Sequence, residues 1–153
     1  MMPRQGCSKK EGASMRISAR NQRKGKVVEV AEGAVNGVIS IALGDDRVKA
    51  VIMMDAIKDL GLAEGMDAWA VIKASSVMFA DDVIKGISAR NQLKGKVVEV
   101  KEGAVNGHVR LELASGDVIL GSITNEAIEQ LGLAVGGDAV AIVKSTEVMV
   151  GVE

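Results

Sequence analysis

Apolar and polar residues alternate with a period near two along most of this chain, the mark of half-buried strands. The cleanest run is His108-Val109-Arg110-Leu111-Glu112-Leu113, and Val38-Ile39-Ser40-Ile41-Ala42-Leu43 is a more apolar version of it. Ahead of the latter, Gly25-Lys26-Val27-Val28-Glu29-Val30 mixes β-branched and polar residues, and the turn formers Glu32-Gly33-Ala34-Val35-Asn36-Gly37 separate the two. Gly44-Asp45-Asp46 and Ser115-Gly116-Asp117 make the next turns, after which Arg47–Ile52 and Val118–Ile123 read as third strands. A short helix follows in each half. Thr124, in front of Asn125-Glu126-Ala127, is its N-cap in one, Asp55 opens the other, and Gly61 and Gly132 end them. A final strand runs Ala68–Lys73 and Ala139–Lys144.

The pattern occurs twice because the chain is one module written twice. Ile17–Val30 returns as Ile87–Val100, Glu32–Gly37 as Glu102–Gly107, and Leu60-Gly61-Leu62 as Leu131-Gly132-Leu133, with a one-residue insertion near Ala114-Ser115-Gly116. The expected fold is mainly β: two OB-like Greek-key β-barrel modules, each with one short helix before the last strand. The expected boundaries are a disordered lead segment over 1–14, a first domain over 15–84 and a second over 85–153. A module of roughly 65–70 residues is near the lower limit of what one core can stabilise, so pairing or oligomerisation is expected.

Composition narrows the function. Nearly half of the 153 residues are hydrophobic, yet there is no Tyr, only Trp69 and Phe79, so the cores are aliphatic. A net charge of −1 with dispersed cations argues against a nucleic-acid backbone surface, and the scarcity of aromatics removes stacking platforms for single strands. Cys7 is the single cysteine and has no internal partner, as in a reducing cytoplasm. No apolar run approaches the roughly 20 residues of a membrane span, and the first residues lack a signal-peptide core, so a soluble intracellular protein is expected. His108 is the only histidine and Val38 stands in its place in the other copy, which leaves no His/Cys metal site and no duplicated Ser-His-Asp arrangement. With neither a phosphate loop nor a dinucleotide fingerprint, a non-enzymatic protein is expected.

Both copies do keep a set of anion-binding groups outside the strands. Ser18-Ala19-Arg20-Asn21 and Ser88-Ala89-Arg90-Asn91 combine a hydroxyl, a small residue that permits close backbone approach, a guanidinium and an amide just before the first strand. Lys73-Ala74-Ser75-Ser76 and Lys144-Ser145-Thr146 add an ammonium and hydroxyls after the last. If chain ends of neighbouring modules meet, the two clusters serve one dianion. The other reading is that these are turn formers and solvated charge, kept alike by duplication.

The ordered set Ser18-Ala19-Arg20-Asn21-Gln22, Gly25-Lys26-Val27, Glu32-Gly33-Ala34-Val35-Asn36, Leu60-Gly61-Leu62 and Ile72–Met78, with its counterparts in copy two, resembles the molybdate-binding Mop proteins, or molbindins, in their tandem di-Mop form. The resemblance runs from Met15 to Val150. It implies an OB-like fold, cytoplasmic molybdenum homeostasis by storage or buffering, and a homo-oligomer that is a trimer of tandem modules, with no nucleic-acid or membrane partner. The implied ligand is molybdate, with tungstate as competitor, bound at interfaces between modules without an organic cofactor. Carried over, a first site type uses Ser18, Ala19, Arg20 and Asn21 with Lys73, Ala74 and Ser75, and Ser88, Ala89, Arg90 and Asn91 with Lys144 and Ser145. A second type draws on the loops at Ala34, Val35, Asn36 and Ala104, Val105, Asn106. Two alternatives are a ligand-free interaction module and a sensor-type fragment of a molybdate-responsive regulator.

Overall fold

The computed structural model describes residues 15–153, so the expected lead segment and Cys7 lie outside the described residues. The first repeat forms β1 (Asn21–Ala31), β2 (Asn36–Leu43), β3 (Asp46–Met53), α1 (Met54–Leu60), β4 (Asp67–Ile72), a 3-10 turn at Ala74–Ser76 and β5 (Met78–Ala80). The second forms β6 (Asn91–Glu102), β7 (Asn106–Leu113), β8 (Val118–Thr124), α2 (Asn125–Leu131), β9 (Asp138–Val143), a 3-10 turn at Ser145–Glu147 and β10 (Met149–Gly151). The mainly β architecture, with one short helix before the main closing strand of each repeat, is the one expected.

Alternation sets the faces. Along β7, Gly107, Val109, Leu111 and Leu113 are buried while His108, Arg110 and Glu112 face out. β1 and β6 begin earlier than the pattern implied, at Asn21 and Asn91, and each carries a register irregularity, between Val27 and Glu29 and between Val97 and Glu99. Such bulges bend a long strand and help its sheet curl. Gly25 and Gly95 sit where a Cβ would run into the carbonyl oxygens of Ala42 and Glu112 on the neighbouring strands, so no larger residue fits there.

The helix ends follow the sequence closely in copy two. Thr124 Oγ1 accepts from the Ala127 N–H at 3.1 Å, and Gly132 takes the left-handed conformation at φ 64° that terminates the helix. In copy one the helix starts at Met54, with Met53 as an N-cap that makes no side-chain bond, so Asp55 lies inside the first turn instead of opening it. The Met54 N–H donates to the Val35 carbonyl at 2.7 Å, and that loop contact fixes the start.

Two curled antiparallel five-stranded sheets result, in the orders β10-β4-β1-β2-β3 and β5-β9-β6-β7-β8. The two short strands are exchanged. β5, at the end of the first repeat, pairs with β9 of the second, and β10, at the end of the second, pairs with β4 of the first. Each 3-10 turn crosses with its tail, Ala74–Ser76 lying against β8 and Ser145–Glu147 against β3. One continuous aliphatic core therefore draws on both repeats, including Val27, Ile39, Ile41 and Ile72 from the first and Val97, Leu111, Ile119 and Val143 from the second. Fully burying each such side chain contributes about 1.5–3 kcal/mol, and sharing them answers the small-module problem within a single chain.

Candidate functional site

The antiparallel pairing of β1 with β4 sets Asn21 opposite Ile72, and that of β6 with β9 sets Asn91 opposite Val143. Arg20 precedes Asn21 and Lys73 follows Ile72, so both cations stand at adjacent strand ends, as do Arg90 and Lys144. Register thus sets the opening arginine and the closing lysine at adjacent strand ends of one repeat, while the rest of each closing cluster, Ala74–Ser76 and Ser145–Glu147, lies against the other repeat. The four cations are exposed, and none makes an ion pair among the described residues.

The Ser-Ala-Arg segment is held in a fixed shape. Arg20 folds back, donating from Nε to the Ser18 carbonyl at 3.1 Å and from an Nη to the Ile17 carbonyl at 2.9 Å. Arg90 repeats this on Ser88 and Ile87 at 3.2 and 3.0 Å. Ala19 and Ala89 are buried beneath, and Ser18 and Ser88 are exposed. Gln22 donates to the Ala19 carbonyl at 3.0 Å and accepts from Met15 N–H at 2.6 Å. Its counterpart Gln92 clamps Ile84 through both backbone groups. Neither glutamine entered the expected site, although each continues the repeated motif.

Asn21 and Asn91 are nearly inaccessible, and their amides are engaged across the junction. Asn21 donates to the Leu120 carbonyl at 2.8 Å and accepts from the Leu120 N–H at 2.7 Å. Asn91 makes the same pair of bonds with Lys49, at 2.8 and 2.7 Å. These side chains pin each cation cluster to a strand of the other repeat.

The closing turns differ. Ala74 is half-buried and Ser75 exposed, whereas Ser145 is 7% exposed and its Oγ has no hydrogen-bond partner. A buried hydroxyl without a partner beside an unpaired lysine is a group available to an arriving acceptor. The two turns touch, Ser76 donating to Glu147 at 3.0 Å.

The Gly-Ala-Val-Asn loops lie apart from these clusters. Ala34, Val35 and Asn36 are exposed, as are Ala104, Val105 and Asn106, with Val35 at 67% and Val105 at 72%. Their shape is set by Gly103 N–H to Asn106 O at 2.9 Å and by the helix-start contacts from Met54 and Asn125 to Val35 and Val105. The β2–β3 and β7–β8 turns also meet, a Cβ on Gly44 falling 2.7 Å from Ser115 Cβ. There the Asp46 carboxyl is pushed above its ordinary value, first by burial and then by Asp45 and Asp117. A mixed-charge depression is lined by Asp81, Asp82, Lys94, Lys96 and Asp138, and none of the repeated cations lines it. No group of three or more metal-ligating side chains occurs among the described residues, and no helix there is long and apolar enough to cross a membrane.

The architecture is that of a duplicated β module with a cation pair at matching strand ends of each copy. The chain belongs to the TOBE domain family, whose model matches residues 17–79 and 87–150, one match per repeat. This is not a catalytic family. The chain is 39% identical over 140 residues to the molybdenum transport protein ModE of Azotobacter vinelandii, covering 91% of this chain and 52% of that protein. It is 53% identical over 64 residues to molybdenum-pterin-binding protein 3 of Clostridium pasteurianum, covering 42% of this chain and 94% of that one. The chain spans about half the length of the first of these curated relatives. A solved structure of the cytoplasmic molybdate-binding protein ModG, with molybdate bound, superposes with a TM-score of 0.86 at 42% identity, covering 91% of this chain and all of that one. The tandem Mop resemblance read from the motifs is thereby shown.

Proposed function

We propose that this protein binds molybdate reversibly, making and breaking no bond, and serves cytoplasmic molybdenum storage or buffering as a non-enzymatic trimer of tandem modules. The observation that carries this reading is the duplicated pairing of cations that make no ion pair among the described residues, Arg20 with Lys73 and Arg90 with Lys144, at matching strand ends. A tetrahedral dianion calls for several charge-assisted donors, because burying it without them costs several kcal/mol or more. The first site type assigns the ammonium of Lys73 or Lys144, the hydroxyl of Ser18 or Ser88, and backbone N–H groups around Ala19, Ala74 and Ser75 or around Ala89 and Ser145. Arg20 and Arg90 lend charge, and can swing a guanidinium N–H from the loop carbonyls to the anion. Asn21 and Asn91 belong to this site as positioning residues, since both amides are engaged in the junction. The second type assigns backbone groups of Ala34, Val35, Asn36 and Ala104, Val105, Asn106 where copies of the chain meet.

Pocket size discriminates against the smaller sulfate, while tungstate, alike in charge and size, competes. Binding at the second type, where copies of the chain meet, also stabilises the assembly, by about 2.7 kcal/mol per site at a hundredfold excess over Kd. Titration calorimetry with molybdate, tungstate and sulfate is the test: heat with the first two and not the third is expected. Absence of molybdate heat at micromolar protein overturns the reading. Native mass spectrometry with molybdenum analysis reads subunit number and ions bound together, and anything other than three chains overturns the trimer.

A further inference from the structure

The exchanged tails are not interchangeable. In the first tail, Phe79 lies over Gly121 of β8, where an added Cβ would meet the ring edge, lying 2.7 Å from Phe79 Cζ and 3.1 Å from Val77 Cγ1. The repeat places Ala50 where copy two has Gly121, and Val150 where copy one has Phe79. Ala50 is fully buried on β3, against which β10 lies, and Val150 packs on the same core. A large tail residue therefore meets a strand without a side chain, and a smaller one meets a strand with a methyl.

The opposite face of the tails shows the same compensation. Ala80 stands across from Val140, whereas Gly151 stands across from Trp69. A Cβ on Gly151 would fall 2.8 Å from Met15 Sδ, in the cluster that Met15 makes with Ala19, Trp69 and Val71. Ala80 packs instead with Ala89, Val140 and Ile142. Bulk on the receiving sheet is matched by its absence on the tail, at two positions on two faces.

We propose that these four matched positions form a size code that makes each tail specific for the sheet of the unlike repeat. A first-repeat tail docked on a first-repeat sheet, as two chains exchanging like for like would require, drives Phe79 into Ala50 and Ala80 into Met15. A second-repeat tail on a second-repeat sheet leaves voids beside Gly121 and Val140. One mismatch overpacks and the other underpacks, and both destabilise. The partner selected is an unlike repeat, so near-identical modules that could pair in several ways pair in one.

The test is thermal unfolding of the full chain at fixed concentration. Val150→Phe places the first tail's residue over Ala50 and lowers Tm by roughly 2–12 °C, from an overpacking cost of about 1–3 kcal/mol. Adding Ala50→Gly recreates the Phe79/Gly121 pairing and recovers at least half of that loss. In the reverse direction, Gly121→Ala lowers Tm similarly and Phe79→Val recovers it. If a single variant does not fold, recovery of soluble protein in its double is read in place of Tm. An unchanged Tm in Val150→Phe shows that the Ala50 sheet accepts a Phe tail and overturns the code. So does a loss that neither second substitution repairs, because the overlap then lies with the strand and not with the opposing side chain.

Discussion

Asn21 and Asn91 occupy equivalent positions and make equivalent hydrogen bonds, yet their removal is expected to differ in cost. Asn21→Ala strips partners from the N–H and carbonyl of Leu120, which is 6% exposed, so both backbone groups are left in a buried junction. At about 1–3 kcal/mol for each unsatisfied group, the loss is about 2–6 kcal/mol. Asn91→Ala strips partners from Lys49, an exposed residue at a part-buried contact, where water replaces the lost amide and the cost falls to about 1–2 kcal/mol. At about 2–4 °C per kcal/mol for a chain of this size, Asn21→Ala lowers Tm by roughly 4–24 °C and Asn91→Ala by no more than about 8 °C. Urea unfolding gives the same ranking through the midpoint, with m unchanged. Asn21→Asp keeps an acceptor for the Leu120 N–H but sets a buried carboxylate oxygen against the Leu120 carbonyl, so at neutral pH it costs at least as much as Asn21→Ala. Equal losses for the two alanine variants, or a loss below about 1 kcal/mol for Asn21→Ala, would refute the assignment of these amides to the junction.

Lys73→Ala and Lys144→Ala each weaken molybdate binding at one first-type site by roughly tenfold to a hundredfold while leaving the subunit count in native mass spectrometry unchanged. Loss of assembly with binding retained marks a scaffold instead. Ser145→Ala lowers affinity at the second-repeat site by about tenfold, as expected for one hydroxyl donor, and Ala74→Ser raises it at the first, both read by calorimetry. Asp46→Asn raises stability at neutral pH. Burial and the neighbouring Asp45 and Asp117 push Asp46 above its unfolded value of 3.8, so its ionised form is disfavoured in the folded chain. That penalty is present above the raised value and disappears as pH falls through it, so the Tm difference from the parent closes on acidification. Asp67 and Asp138 run the other way, each lowered first by the hydrogen bond from Lys26 or Lys96, so their contribution is lost as pH falls.

What was legible in the sequence was whatever a short window could hold. The alternation of His108–Leu113, the Thr124 cap and the glycines at Gly61 and Gly132 carry their structure locally, and each is found as read. The cation clusters were legible as composition, but their meeting depends on β1–β4 pairing, which no window spans. Asn21 and Asn91 sit among donors and read as donors; that their partners are Leu120 and Lys49 follows only from the exchange between repeats. β5 and β10, three residues each, are too short for a period to show. One signal was present: aligning the copies sets Gly121 against Ala50 and Phe79 against Val150, and paired departures in an otherwise faithful repeat mark a contact.

The strand exchange also governs the order in which the chain can be completed. A nascent first repeat holds β1 to β4 but has no β10, and its sheet edge at β4 stays open until all of the second repeat has been made. During that interval the row of unpaired backbone groups along Ala70 and Val71 is a template for any extended segment nearby, including β10 of a neighbouring chain. Slow elongation through Ala80–Gly107 lengthens the exposure and a fast second repeat shortens it. The yield of correctly closed protein is therefore expected to depend on translation speed, in a molecule whose finished form shows no trace of the delay.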